Sequence, residues 1–149
     1  MKKLAWLVLV VLGSCQPVAA DGIYTGMWSW HTPAYKQEAA SHGNVINGNH
    51  HLIAVETDGW ILGEYENSFS VESQLFAKRF PLLTASHWQL SVIGGAVHGY
   101  YYCEGEAWNN KEKKTCPAAI PELRYTRFKL QPAVMVFAGG VAVALRWEL

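Results

Sequence analysis

The last nine residues, VAVALRWEL, divide cleanly into two sets. Val141, Val143, Leu145, Trp147 and Leu149 fall on one side of an extended chain, and Ala142, Ala144, Arg146 and Glu148 on the other. A helix would scatter both sets around its axis, whereas a strand separates them, because successive side chains point to opposite faces. The same period of two recurs through most of the chain, which predicts an all-β fold.

Counting forward, strands are expected at 24–31, 49–57, 60–67, 70–80, 87–102, 122–130, 132–138 and 141–149. Residues 33–48 and 103–118 read as long loops, Thr57-Asp58-Gly59 as a tight turn, and 81–86 as a short connection. Gln131-Pro132 reads as a break and Gly139-Gly140 as a hairpin turn. Eight short strands joined by tight turns predict an antiparallel up-and-down barrel. The palette agrees: seven Trp, seven Tyr and five Phe stand beside thirteen Gly, and aromatic residues favour strands.

The first twenty residues have a different character. Lys2 and Lys3 precede an apolar stretch from Leu4 to Leu12, and Val18-Ala19-Ala20 has the small-residue form of a cleavage site. This predicts a signal peptide over 1–20 and a barrel domain over 21–149. A competing reading takes Leu12-Gly13-Ser14-Cys15 as a lipoprotein box with Cys15 lipidated. Either way Cys103 and Cys116 are left to pair across a polar loop, which an exporting route favours as a disulfide. Two cysteines without a neighbouring histidine are a poor zinc set. His50 and His51 are adjacent on an extended chain and point apart, so no metal site and no cofactor is expected. Net charge is zero and no basic stripe exists, which argues against nucleic acid.

Alternation alone does not say which face is inside. A soluble lipocalin-like carrier would turn Leu145 and Trp147 inward, whereas an outer-membrane barrel would turn them to lipid and keep Arg146 and Glu148 in the lumen. The small or charged set of the last strand and the alternation of long and short connections favour the membrane type, located in a bacterial outer membrane and acting as a monomer among membrane lipids. Counting strands up and down then brings the end of the first strand, His31, to the same rim as Ser68 at the end of the third. A serine beside a histidine base is an acyl-transfer arrangement, and Glu66 or Glu64, expected to line the interior, would supply an orienting carboxylate. The bland alternative is that Asn67-Ser68 is turn chemistry, with lumen glutamates paired to Arg79, Arg124, Arg127 or Arg146.

"WSWHTPAY" at 28–35 and "GWILGEYENSFS" at 59–70 resemble the outer-membrane lipid A palmitoyltransferase (PagP) family. The resemblance implies an eight-stranded barrel whose lumen holds one acyl chain, with transfer at the outer rim from a phospholipid to lipid A. It implies that His31 and Ser68 are catalytic. The family's aspartate falls on Asn67, which cannot act as a carboxylate, leaving Glu66 as the substitute. The rival classes are a non-enzymatic barrel whose outer loops modify the cell surface or bind a partner, and the soluble carrier.

Overall fold

The computed structural model describes residues 21–101, 103, 112–137 and 139–149; the segment read as a signal peptide, with Cys15, lies outside them. Eight antiparallel strands close into one barrel in simple sequence order. They are β1 (Gly22–His31), β2 (Ile53–Thr57), β3 (Trp60–Glu66), β4 (Glu72–Ala85), β5 (Trp88–Tyr100), β6 (Lys114–Tyr125), β7 (Leu130–Phe137) and β8 (Gly140–Glu148). The last strand pairs with the first from Gly22↔Glu148 to His31↔Gly140, so no edge is left open there.

β8 follows its alternation: Ala142, Ala144 and Arg146 are buried while Val141, Trp147 and Leu149 are exposed. The rest of the wall has the same polarity. Leu62 (62% exposed), Ile53 (60%) and Trp30 (59%) face outward, and so do Phe76, Val55 and Trp28. The interior takes the small and charged side chains. On β3 to β6 the outward polar residues Glu64, Gln74, His98 and Thr115 are direct ladder partners and form one row near the mouth ends of their strands.

Five elements differ from expectation, the first being β2, which starts at Ile53 and not at 49, leaving His50 and His51 in the preceding link. Residues Pro33–Ser41 form a helix, α1, where a loop was predicted. Thr32 caps it, accepting a bond from the Tyr35 amide, and proline at the first helical position is preorganised for the turn. β4 continues through Pro81 to Ala85, absorbing the predicted connection with a bulge between Pro81 and Leu83. β6 runs Lys114–Tyr125, not 122–130, and its turn to β7 falls at 126–129 instead of Gln131-Pro132. Finally, β3 is turned over: Ile61 is buried and Glu64 exposed, so the expected inward glutamate faces out.

A bulge explains how β1 carries both Tyr24 and His31 inside. The register shifts between Thr25 and Met27, and Gly26 takes φ +61, a conformation open to glycine without steric cost. The extra residue switches the phase. Tyr24 points inward below it, and Ser29 and His31 above it.

The lower interior is an ion-paired floor. Glu56 accepts from Arg79 Nε at 2.7 Å and from Arg146 Nε at 2.6 Å, with Arg124 Nη1 3.7 Å away. Arg79 also pairs with Glu122 and donates to the Tyr24 hydroxyl, which in turn donates to Glu122 at 3.0 Å. Arg146 reaches Gln131 at 3.1 Å. Buried charges of this kind persist only when mutually satisfied. The lumen carboxylates are therefore Glu56 and Glu122, while Arg127 is exposed in the β6–β7 turn.

Candidate functional site

Above the floor the barrel encloses a cavity of about 290 Å³. Its walls include Leu52, Ala54, Ile61, Ile93, Met135 and Ala142, with the Tyr24 ring at the boundary with the charged layer. His31 and Ser68 line the same cavity at its mouth. An apolar chamber with a few convergent polar groups is the usual form of a small-ligand site.

Ser68 does not reach the mouth by strand alternation, since β3 ends at Glu66. It arrives because the chain turns at Asn67. The Asn67 carboxamide is fully buried and knots that turn. Its Oδ1 accepts from the amides of Phe69 at 2.8 Å and Val71 at 3.2 Å, while Nδ2 donates to Ser73 Oγ at 3.0 Å and to the Gly99 carbonyl at 3.2 Å. A group that both accepts and donates is needed here, and a carboxylate only accepts. Asn67 thus holds Ser68 in place and does not touch His31.

His31 Nε2 lies 2.9 Å from Ser68 Oγ. The imidazole is stacked on Tyr35 of α1, with ring centroids 5.2 Å apart, and meets Phe137 edge-on at 5.4 Å. The helix that went unpredicted therefore roofs the histidine. The other ring nitrogen, Nδ1, lies 3.4 Å from Ser29 Oγ. Among the described residues no carboxylate bonds to His31. Glu66, the expected orienting acid, instead accepts from Asn47 Nδ2 at 2.9 Å through its side chain. Glu64 faces outward, away from the cavity.

Two participants were not singled out from the sequence. Ser29 Oγ lies 2.6 Å from His50 Nε2, and His50 Nδ1 lies 2.7 Å from the Glu66 backbone carbonyl. Burial holds the His50 pKa below its ordinary value, partly offset by that carbonyl and by the nearby Glu66 carboxylate, which favours the neutral ring. The segment carrying His50 is sewn to both neighbours: Ser29 N to Gly48 O and His50 N to Met27 O, both 2.9 Å, then Asn47 N to Ser68 O and Glu66 N to His50 O, both 2.8 Å. Nothing in the local sequence periodicity marks His50, because it sits in the link between β1 and β2. The faint signal is parity: Ser29 and His31 share a face.

Two further features bear on access. Cys103 and Cys116 are joined in a disulfide with Cα atoms 5.3 Å apart, tying the chain after β5 to the start of β6. Beyond it the β6–β7 seam is short, pairing at Glu122↔Met135, Leu123↔Val134 and Arg124↔Ala133. Pro117 and Pro121 lie on the mouth side of β6 and have no amide to offer a ladder. The cavity is lined there by five consecutive residues, Cys116 to Ile120. Consecutive residues on a strand point to both faces, so the cavity extends into this gap in the wall. Among the described residues no cluster of three metal-ligating side chains occurs. No family model, curated protein or solved structure matches the chain.

Proposed function

We propose that the chain is an outer-membrane barrel of the lipid A palmitoyltransferase (PagP) type, transferring an acyl chain from a phospholipid to lipid A with Ser68 as nucleophile and His31 as base. The observation that carries this reading is the Ser68–His31 contact of 2.9 Å at the mouth of an apolar cavity. The exterior supports the setting. A wall of exposed Trp, Leu, Ile, Val and Phe around a charged interior suits lipid outside, whereas a soluble carrier would reverse it. β1, β4, β5, β6 and β8 are 9 to 14 residues long, enough for tilted strands to cross hydrocarbon.

In this reading the acyl tail enters through the short β6–β7 seam and lies in the cavity, its ester carbonyl beside Ser68. His31 Nε2 takes the hydroxyl proton as Ser68 Oγ bonds to the carbonyl carbon. Collapse of the tetrahedral adduct breaks the ester bond, and the leaving lysophospholipid oxygen takes the proton from His31. A lipid A hydroxyl then gives its proton to His31 and attacks the acyl-serine; collapse of that adduct breaks the acyl–Oγ bond, and His31 returns the proton to Ser68 Oγ. On β3 to β6 the row of Glu64, Gln74, His98 and Thr115 ends the apolar wall, where headgroups would begin in this reading.

The test is the mass spectrum of lipid A from a host that lacks its own acyltransferase and expresses this chain. Gain of one acyl mass that disappears in Ser68→Ala and His31→Ala is the expected result. An unchanged spectrum with the protein in the outer-membrane fraction would favour the non-enzymatic barrel.

A further inference from the structure

We infer that Ser29 and His50 are positioning residues that fix the tautomer of His31 through a hydrogen-bond relay beginning at the Glu66 backbone carbonyl. The inference rests on the reading of Ser68 and His31 as the reacting pair, and it supplies the orienting function for which no carboxylate is present at His31. The direction of the relay follows from donor and acceptor capacity alone. A backbone carbonyl only accepts, so the His50 Nδ1 facing Glu66 O at 2.7 Å carries the proton. In a neutral imidazole the other nitrogen is then an acceptor, and Ser29 donates to His50 Nε2 across 2.6 Å.

With its one hydrogen committed, the Ser29 oxygen can only accept from His31 Nδ1, 3.4 Å away. That places the His31 proton on Nδ1 and leaves Nε2 as the lone pair facing Ser68 Oγ at 2.9 Å. This is the tautomer a general base toward Ser68 requires. Reversing any link would set two donors or two acceptors against each other. The four groups are buried or half-buried, so water does not readily substitute for a missing partner.

Placement separates the roles of the two serines. Ser68 lines the cavity, whereas Ser29 lies behind the histidine and is not among the cavity-lining residues. Ser29 therefore acts through His31 and not on substrate. The backbone bonds that sew residues 47–50 to β1 and β3 keep the relay rigid, which is what an orienting group must provide. The acid at the relay's end is used through its peptide carbonyl, so the Glu66 side chain is dispensable for polarity.

The test combines side-chain nitrogen NMR of the refolded barrel in detergent micelles with the lipid acyl-transfer assay. In the unmodified protein, at a pH where His31 is neutral, its spectrum should show the Nδ1–H tautomer. Ser29→Ala should give a mixture of tautomers and lower kcat about a hundredfold, with KM changed less than about twofold. Ser29→Thr, which keeps the hydroxyl, should restore both. His50→Phe should reproduce the mixed tautomers and the fall in kcat, with KM free to shift because His50 also lines the cavity, and the double variant should lose little more kcat, because the relay acts as one unit. An Nε2–H tautomer at His31 in the unmodified protein, or a Ser29→Ala variant with full kcat, overturns the inference. If the unmodified protein moves no acyl chain yet shows the Nδ1–H tautomer and its loss in Ser29→Ala, the relay stands and the acyl-transfer reading falls.

Discussion

The two halves of the lumen are built on opposite plans. The floor holds full charges, with Glu56 and Glu122 among Arg79, Arg124 and Arg146, and its carboxylates are saturated by cations. The mouth holds neutral groups in a single directed chain ending at a serine hydroxyl that faces an apolar cavity. Both are hydrogen-bonded interiors, but only the second borders the apolar cavity with a serine and a histidine. What sets the mouth apart is its opening onto the apolar cavity, not an unmet hydrogen bond, since among the described residues the buried side-chain atoms without a hydrogen-bond partner are Ser91 Oγ and Arg124 Nε and Nη1.

Substitutions that strike one half should leave the other intact, and the sharpest is at the mouth. Ser68→Ala should lower acyl transfer on the order of a thousandfold or more while leaving the unfolding midpoint within experimental scatter. Glu56→Gln should do the reverse. It leaves the guanidiniums of Arg79 and Arg146 without their main counter-charge, so stability should fall by about 3–5 kcal/mol in denaturant titrations of the refolded barrel. The folded fraction should keep its activity.

Asn67→Asp tests whether the two plans can be mixed. It supplies a carboxylate beside Ser68, but it removes the two donations to Ser73 and Gly99 and buries a charge. The expected outcome is a loss of about 1–3 kcal/mol with no gain in transfer rate; a faster enzyme would mean that the carboxylate reaches His31 by a rearranged turn. The smallest effect is expected at the boundary. Tyr24→Phe keeps the ring over the cavity and removes one hydroxyl between Arg79 and Glu122, costing about 1 kcal/mol. Should Tyr24→Phe also change which acyl chains are accepted, the boundary would belong to the mouth as well as the floor.

The barrel was legible where one face is apolar and the other is not. β8 is the clearest case, with every residue of VAVALRWE alternating. The start of β6 was hidden by Pro117 and Pro121, which interrupt the pattern; the strand pairs with β5 throughout, while its edge toward β7 has ladder partners only at residues 122–124. α1 was hidden by Thr32-Pro33, which ends a strand and starts a helix equally well. At the site, the meeting of His31 and Ser68 followed from strand parity, yet the orientation of β3 assumed for it was inverted. The turn at Asn67, not alternation, delivers the serine. Ser29–His50 was invisible because it depends on a link folding back across two strands, and such long-range closure has no local period.

The ion-paired floor carries a consequence for permeability. An eight-stranded barrel is only wide enough for its own side chains, and here Arg79, Glu56, Arg146 and Glu122 fill the section below Tyr24. No continuous water column runs past four fully buried, mutually bonded groups, so the molecule has a mouth but no drain. Placed in a bilayer it would pass no ionic current, and whatever occupies its cavity must enter and leave above the floor, by the mouth or by the gap between β6 and β7.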